Sequence, residues 1–116
     1  MELKIQETPD DVRVIYLSGR MDIAGTNEIH ENFTQSVGTE RAWVIVDLSQ
    51  VSFVASIGMR TLVSSARSLL RVGGAMVMAN AQPAVRQALS SAGIDSLIPA
   101  YPDEDRARLA LLALRR

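Results

Sequence analysis

The chain has 116 residues, 47% of them hydrophobic and 22% charged, the balance of a single globular domain with one core. Its formal net charge of −1 gives no electrostatic case for nucleic acid or an anionic membrane surface as a partner. The lack of cysteine excludes disulfides, a thiol nucleophile and thiolate metal sites.

No apolar run approaches the ~20 residues needed to span a bilayer, and Met1-Glu2-Leu3-Lys4 lacks the layout of a secretory leader. The expectation is one soluble cytoplasmic domain over residues 1–116, a monomer or weak dimer. The alternation of Leu3-Lys4-Ile5 runs into Pro9-Asp10-Asp11, a turn signal, and Val12 to Leu17 reads as a second strand. The chain is therefore expected to open with an antiparallel hairpin. Leu17-Ser18-Gly19-Arg20-Met21-Asp22 closes that strand and leads into a loop. Thr26 or Asn27 is the expected cap of a first helix with Ile29, Phe33 and Val37 buried and Gly38 as its stop.

The unbroken apolar run Ala42-Trp43-Val44-Ile45-Val46 reads as a strand buried on both faces. A second patch, Val51-Ser52-Phe53-Val54, follows it. From Met59 onward the period changes: Met59, Leu62, Val63, Ala66, Leu69 and Leu70 share one face of an amphipathic helix that stops before Gly73-Gly74. Ala75 to Ala79 reads as another strand. Pro83 suits a first helical position, with Val85, Ala88, Leu89 and Ala92 inward and Gly93 as the stop. Leu97-Ile98 is a weak strand candidate. A last helix opens at Pro102-Asp103-Glu104-Asp105 and closes at Arg115-Arg116, with Ala107, Ala110, Leu111 and Leu114 on its stripe and Leu109 and Leu112 off it. These elements imply an α/β fold of about five strands in a mixed sheet and about four helices, which cover one face of the sheet well and the other thinly.

The catalytic inventory is thin. His30 is the only histidine, on the first helix, where a surface role is expected. There is no metal-ligand cluster and no glycine-rich phosphate loop. A non-enzyme without cofactor or metal is the expectation. Asp22 and Asp47 stand near predicted strand ends, where open α/β sheets gather functional loops; each equally suits a carboxylate that ties its own turn together. Arg60, Ser64, Arg67 and Arg71 form a polar stripe opposite the second helix's core face, either a solvated face or a cationic surface for a protein partner. Ser56 sits where loop becomes helix, as an ordinary N-terminal cap or as a phosphorylatable hydroxyl displayed on one. Gly58, just inside, would let another molecule approach closely.

The run Val46-Asp47-Leu48-Ser49-Gln50-Val51-Ser52-Phe53-Val54-Ala55-Ser56-Ile57-Gly58-Met59 resembles the signature of the STAS domain, the fold of bacterial anti-sigma factor antagonists. Leu17 to Asp22 is similar to that family's first loop motif, and the order of elements fits across nearly the whole chain. The resemblance implies a protein that binds an anti-sigma factor which is also a serine kinase. Phosphorylation of the motif serine breaks that complex, and a serine phosphatase restores it. By position the phospho-acceptor is Ser56, Gly58 is the motif glycine and Asp22 borders the partner surface, which would take in Ala55, Ile57, Arg60, Ser64 and Arg67. The family has Asp directly before the serine and often Ser or Thr after it; here Ala55 and Ile57 stand there. That change removes a charge able to orient the hydroxyl or be read by a kinase. It leaves room for a second reading, an unphosphorylated STAS subunit docking on a membrane transport complex of the phospholipid type.

Overall fold

The computed structural model describes residues 1–115. Strands β1 (Glu2–Glu7) and β2 (Val12–Met21) form the antiparallel hairpin, turned at Asp11 with φ 68°. Helix α1 (Ile23–Val37) follows, then β3 (Trp43–Val54), α2 (Ser56–Arg71), β4 (Ala75–Ala79), α3 (Pro83–Ser91), a short 3₁₀ turn at Ile94–Ser96, β5 (Ala100–Tyr101) and α4 (Glu104–Leu114). The five strands lie in sequence order, with β2 through β5 parallel, so the sheet is mixed as expected.

Alternation along β2, β3 and β4 sorts the core into two layers. Ile15, Leu17, Val44, Val46, Leu48, Met76 and Met78 point to one face, where they meet Ile29 and Phe33 of α1, Leu62, Ala66 and Leu69 of α2, and Val85 and Leu89 of α3. Val12, Val14, Trp43, Ile45, Ala75, Val77 and Ala79 point to the other, covered by Ala107 and Leu111 of α4. Three helices against one is the uneven coverage read from the sequence.

Polar groups hold α4 in place on the second face. Arg108 donates to Asp10 Oδ2 at 2.7 Å and to Glu104 Oε2 at 3.2 Å, and the Tyr16 hydroxyl donates to Glu104 Oε1 at 2.9 Å. Burial, with the Glu104 carboxylate beside it, pushes the Tyr16 hydroxyl up to about 12. The Thr8 hydroxyl and the Arg108 guanidinium hold Asp10 below the usual carboxylate range.

The structure corrects several local expectations. The cap of α1 is Asp22, which accepts the Gly25 N–H at 2.7 Å; Thr26 and Asn27 lie one turn inside. Strand β5 is Ala100–Tyr101, because Leu97 is half-buried after the 3₁₀ turn and Ile98 turns into the first core layer, while the Pro99 carbonyl accepts the Met78 N–H of β4 and the Tyr101 carbonyl the N–H of Asn80 just beyond it. Strand β3 runs on through Val54, so Asp47 stands mid-strand. Helix α4 starts at Glu104 with Asp103 as its cap, accepting the Arg106 N–H at 2.7 Å. Leu114 is exposed while Leu112 packs on the second layer; Arg116 lies outside the described residues. Leu70, expected on the buried stripe of α2, is half-exposed, and Ala92 falls beyond α3 and is exposed.

Since α4 alone covers the second face, Leu111→Ala should cost about 2–5 kcal/mol, read from the denaturant midpoint. Leu109→Ala, at a position that is 71% exposed, should stay within about 0.5 kcal/mol of the parent.

Candidate functional site at the paired helix starts

Strands β2 and β3 run parallel and end together: Arg20 pairs with Phe53 and Met21 with Val54. The Ala55 N–H then donates to the Met21 carbonyl at 2.9 Å. Each strand turns at once into a helix, so the starts of α1 and α2 lie side by side on the carboxyl edge of the sheet. Both helices carry a glycine as their third residue, and both glycines close on the end of β2. A Cβ on Gly25 would run into the Arg20 carbonyl. One on Gly58 would lie 2.9 Å from Met21 Cβ and 3.2 Å from the Met21 carbonyl. Gly58 is buried, so the reason for glycine there is this internal fit, and the sequence-based reading of it as a place where another molecule comes close is corrected.

The cap of α2 is also corrected. Ala55, extended at φ −96° and ψ 172°, is the N-cap residue and supplies no side-chain bond, while its carbonyl accepts the Met59 N–H at 3.1 Å. Ser56 is the first helical residue. It is exposed and its hydroxyl has no hydrogen-bond partner among the described residues. The position of the absent family aspartate is thus the capping position itself. A carboxylate at residue 55 would do for α2 what Asp22 does for α1.

Asp22 is half-exposed beside this point. Its carboxyl is held below the usual range, first by the Gly25 N–H and also by Arg20, whose Nε lies 3.5 Å from Oδ2. The Arg20 guanidinium also stacks on Phe53, 4.4 Å from the ring centroid. Phe53 and Ile23 are exposed on the same edge, at 39% and 68%.

Between α1 and α2 a groove of about 270 Å³ is lined by Thr26, Asn27, His30, Ile57, Arg60, Thr61 and Ser64. His30 Nδ1 is 3.3 Å from Thr61 Oγ1 and bridges the helices. Arg60 and Arg67 are exposed and make no ion pair among the described residues; Arg71 ends α2. Asp47 belongs elsewhere. It is buried, accepts from Ser49 N and Oγ at 2.9 and 2.7 Å and from Asn80 Nδ2 at 2.9 Å, and so ties β3 to the end of β4. Among the described residues no three His, Asp or Glu side chains gather as metal ligands.

The structure therefore sets Asp22, Ala55, Ser56 and Ile57 at one edge, with Arg60, Ser64 and Arg67 following along α2. The sequence reading missed Ile23, Phe53, Asn27 and His30 as their neighbours. The signals available were an aromatic residue that breaks the inward alternation at the end of β3 and an isoleucine directly after a capping aspartate.

A mixed sheet with three helices on one face and a serine-bearing helix start at its carboxyl edge defines a small α/β domain. The family model of the STAS domain matches residues 3–107, and the chain belongs to that family. It is 24% identical over 101 residues to a protein of Bordetella bronchiseptica named "Putative anti-sigma factor antagonist BtrV", with 87% of each chain covered. The crystal structure of an anti-sigma factor antagonist from Mycobacterium paratuberculosis is similar with a TM-score of 0.84 and 25% identity, over 95% of this chain and 92% of that one. The Bacillus cell fate determinant SpoIIAA in its phosphorylated form has the same fold, with a TM-score of 0.66 and 18% identity over 94% and 99% of the two chains.

Because residue 55 caps α2 without a side-chain bond, Ala55→Asp should stabilise the fold by about 0.5–2 kcal/mol, read from the denaturant midpoint. Ser56→Ala, one position inside, should change it by less than about 0.5 kcal/mol. Gly58→Ala should destabilise: close packing costs of about 1–3 kcal/mol outweigh a helix-propensity gain of at most about 1 kcal/mol.

Proposed function

We propose that this chain is an anti-sigma factor antagonist in a partner-switching pathway. It binds an anti-sigma factor that is also a serine kinase, and phosphorylation of Ser56 releases it until a serine phosphatase restores binding. The observation that carries the reading is Ser56 itself: an exposed hydroxyl with no internal hydrogen bond, on the first residue of α2 and beside the first turn of α1. Support comes from the relatives named above, two of them called anti-sigma factor antagonists and the third solved in a phosphorylated form. The partner surface is the edge formed by Asp22, Ala55, Ser56 and Ile57, extended along α2 by Arg60, Ser64 and Arg67. Gly58 contributes from beneath, by letting α2 seat on Met21.

The fold tolerates a phosphate at this place. The phosphoryl group adds roughly −1.5 to −2 charges at neutral pH, and at a helix start the dipole and the unpaired N–H groups favour negative charge. Arg60, four residues on along α2, can add a charge-assisted contact. Phosphorylation therefore leaves the domain intact and acts at the interface, where the partner meets a charge that must be desolvated or repelled.

Phosphorylated protein and Ser56→Asp should both melt at or above the parent temperature. They should bind the kinase captured from the native cell at least about tenfold more weakly, a loss of about 1.4 kcal/mol. Arg67→Glu should weaken the same binding with stability changed by less than about 0.5 kcal/mol. Equal affinity of the phosphorylated form, or a markedly lower melting temperature, would overturn the mechanism.

A further inference from the structure

A cavity of about 430 Å³ opens at the other end of the sheet, where the parallel strands β2 and β3 begin. Its chemistry comes from Glu7, Asp11, Arg13, Arg41, Trp43 and Arg115. The charges are not equally committed. Arg13 is spent on its surroundings: Nε donates to Glu7 Oε1 at 2.6 Å and a terminal nitrogen to the Ser36 carbonyl at 2.7 Å. Arg41 and Arg115 meet no carboxylate among the described residues. Arg41 donates Nε to the Gly73 carbonyl at 3.2 Å and lies over Trp43, 5.2 Å from the ring centroid. Arg115 donates to the Asp10 carbonyl. Both guanidinium groups are thus fixed in place by backbone bonds while keeping further N–H donors for a ligand.

We propose that this cavity is a binding site for a compact phosphoryl-bearing anion, separate from the surface around Ser56 and independent of the partner-switching reading. Two planar forks held by carbonyls and, for Arg41, by an indole face suit the oxygens of a phosphoryl group, which accept paired N–H bonds. Because the forks are already placed, a ligand costs little further side-chain ordering. The cavity falls within the range of small-ligand pockets, about 300–1,000 Å³. Glu7 is neutralised by Arg13, which leaves Asp11 as the one carboxylate set against the guanidinium groups of Arg41 and Arg115 in the lining. A small free anion satisfies that pattern.

Trp43 is the only tryptophan of the chain and lies against Arg41 in the cavity, which makes its fluorescence a direct reporter. The full chain is titrated with inorganic pyrophosphate at ionic strength held constant with sodium chloride, with calorimetry alongside. The expected result is a saturable change in Trp43 emission, with half-saturation raised about tenfold or more in Arg41→Gln and in Arg115→Gln. Arg115→Gln leaves the Arg41 guanidinium over the Trp43 ring in place, so the reporter survives in at least one variant, and circular dichroism checks that both fold. A response matched by chloride alone, unchanged half-saturation in both folded variants, or neither heat nor emission change would overturn the site. So would sedimentation with phosphatidic acid vesicles in the absence of any response to soluble pyrophosphate.

Discussion

The hydrogen bond from the Ala55 N–H to the Met21 carbonyl, 2.9 Å long, ties the end of β3 to the end of β2, and the edge that carries Ser56 depends on it. It extends the parallel ladder by one step and sets the starts of α1 and α2 next to each other. Packing finishes what the ladder begins. Gly25 and Gly58, each third in its helix, admit the end of β2 so closely that a methyl group would collide at either place. The surface around Ser56 is therefore carried by strand ends and helix first turns, the stiffest parts of an α/β domain, and no long loop intervenes.

The two faces of the sheet divide the work. Three helices bury the first layer deeply, and two of them present the edge described above. The second layer has α4 alone, fastened at its start by Glu104 and Arg108 to Tyr16 and Asp10. Apolar residues of α4 that the sheet does not reach, Leu109 and Leu114, stay in solvent. The apolar content of that helix thus exceeds what it buries against one side of the five-stranded sheet.

Much of the fold was legible because period reports face. The hairpin, the β-branched run of β3, the helical stripes of α1 and α2 and the stops at Gly38 and Gly93 all follow from which residues must be inside. Caps were not legible in this way. Thr26, Asn27 and Ser56 are all good capping types, but a cap is set by where the preceding strand lets go, and β2 and β3 let go at Met21 and Val54. The strand at Ala100–Tyr101 was hidden for a related reason: a two-residue parallel strand has no period to show, and the more apolar Leu97-Ile98 drew attention to itself. The candidate site was read as a stretch of sequence around Ser56. The contribution of α1 to it, through Asn27 and His30, is a product of packing between residues about thirty positions apart.

The direction of the helices gives the molecule an electrostatic axis. α1, α2 and α3 each follow the carboxyl end of a parallel strand, so their positive ends gather at one edge and their negative ends at the other. At the positive edge α2 carries no acidic residue, and Asp22 is the carboxylate drawn to a helix start. At the negative edge arginines take the exposed carbonyls: Arg13 those of Ser36 and Val37 behind α1, Arg41 that of Gly73 behind α2. A guanidinium has five donors, and the carbonyls occupy only some of them. Arg13 commits a further donor to Glu7, whereas Arg41 keeps N–H groups that no described residue accepts. The same axis that favours a phosphate on Ser56 at one edge collects the cations that can receive an anion at the other.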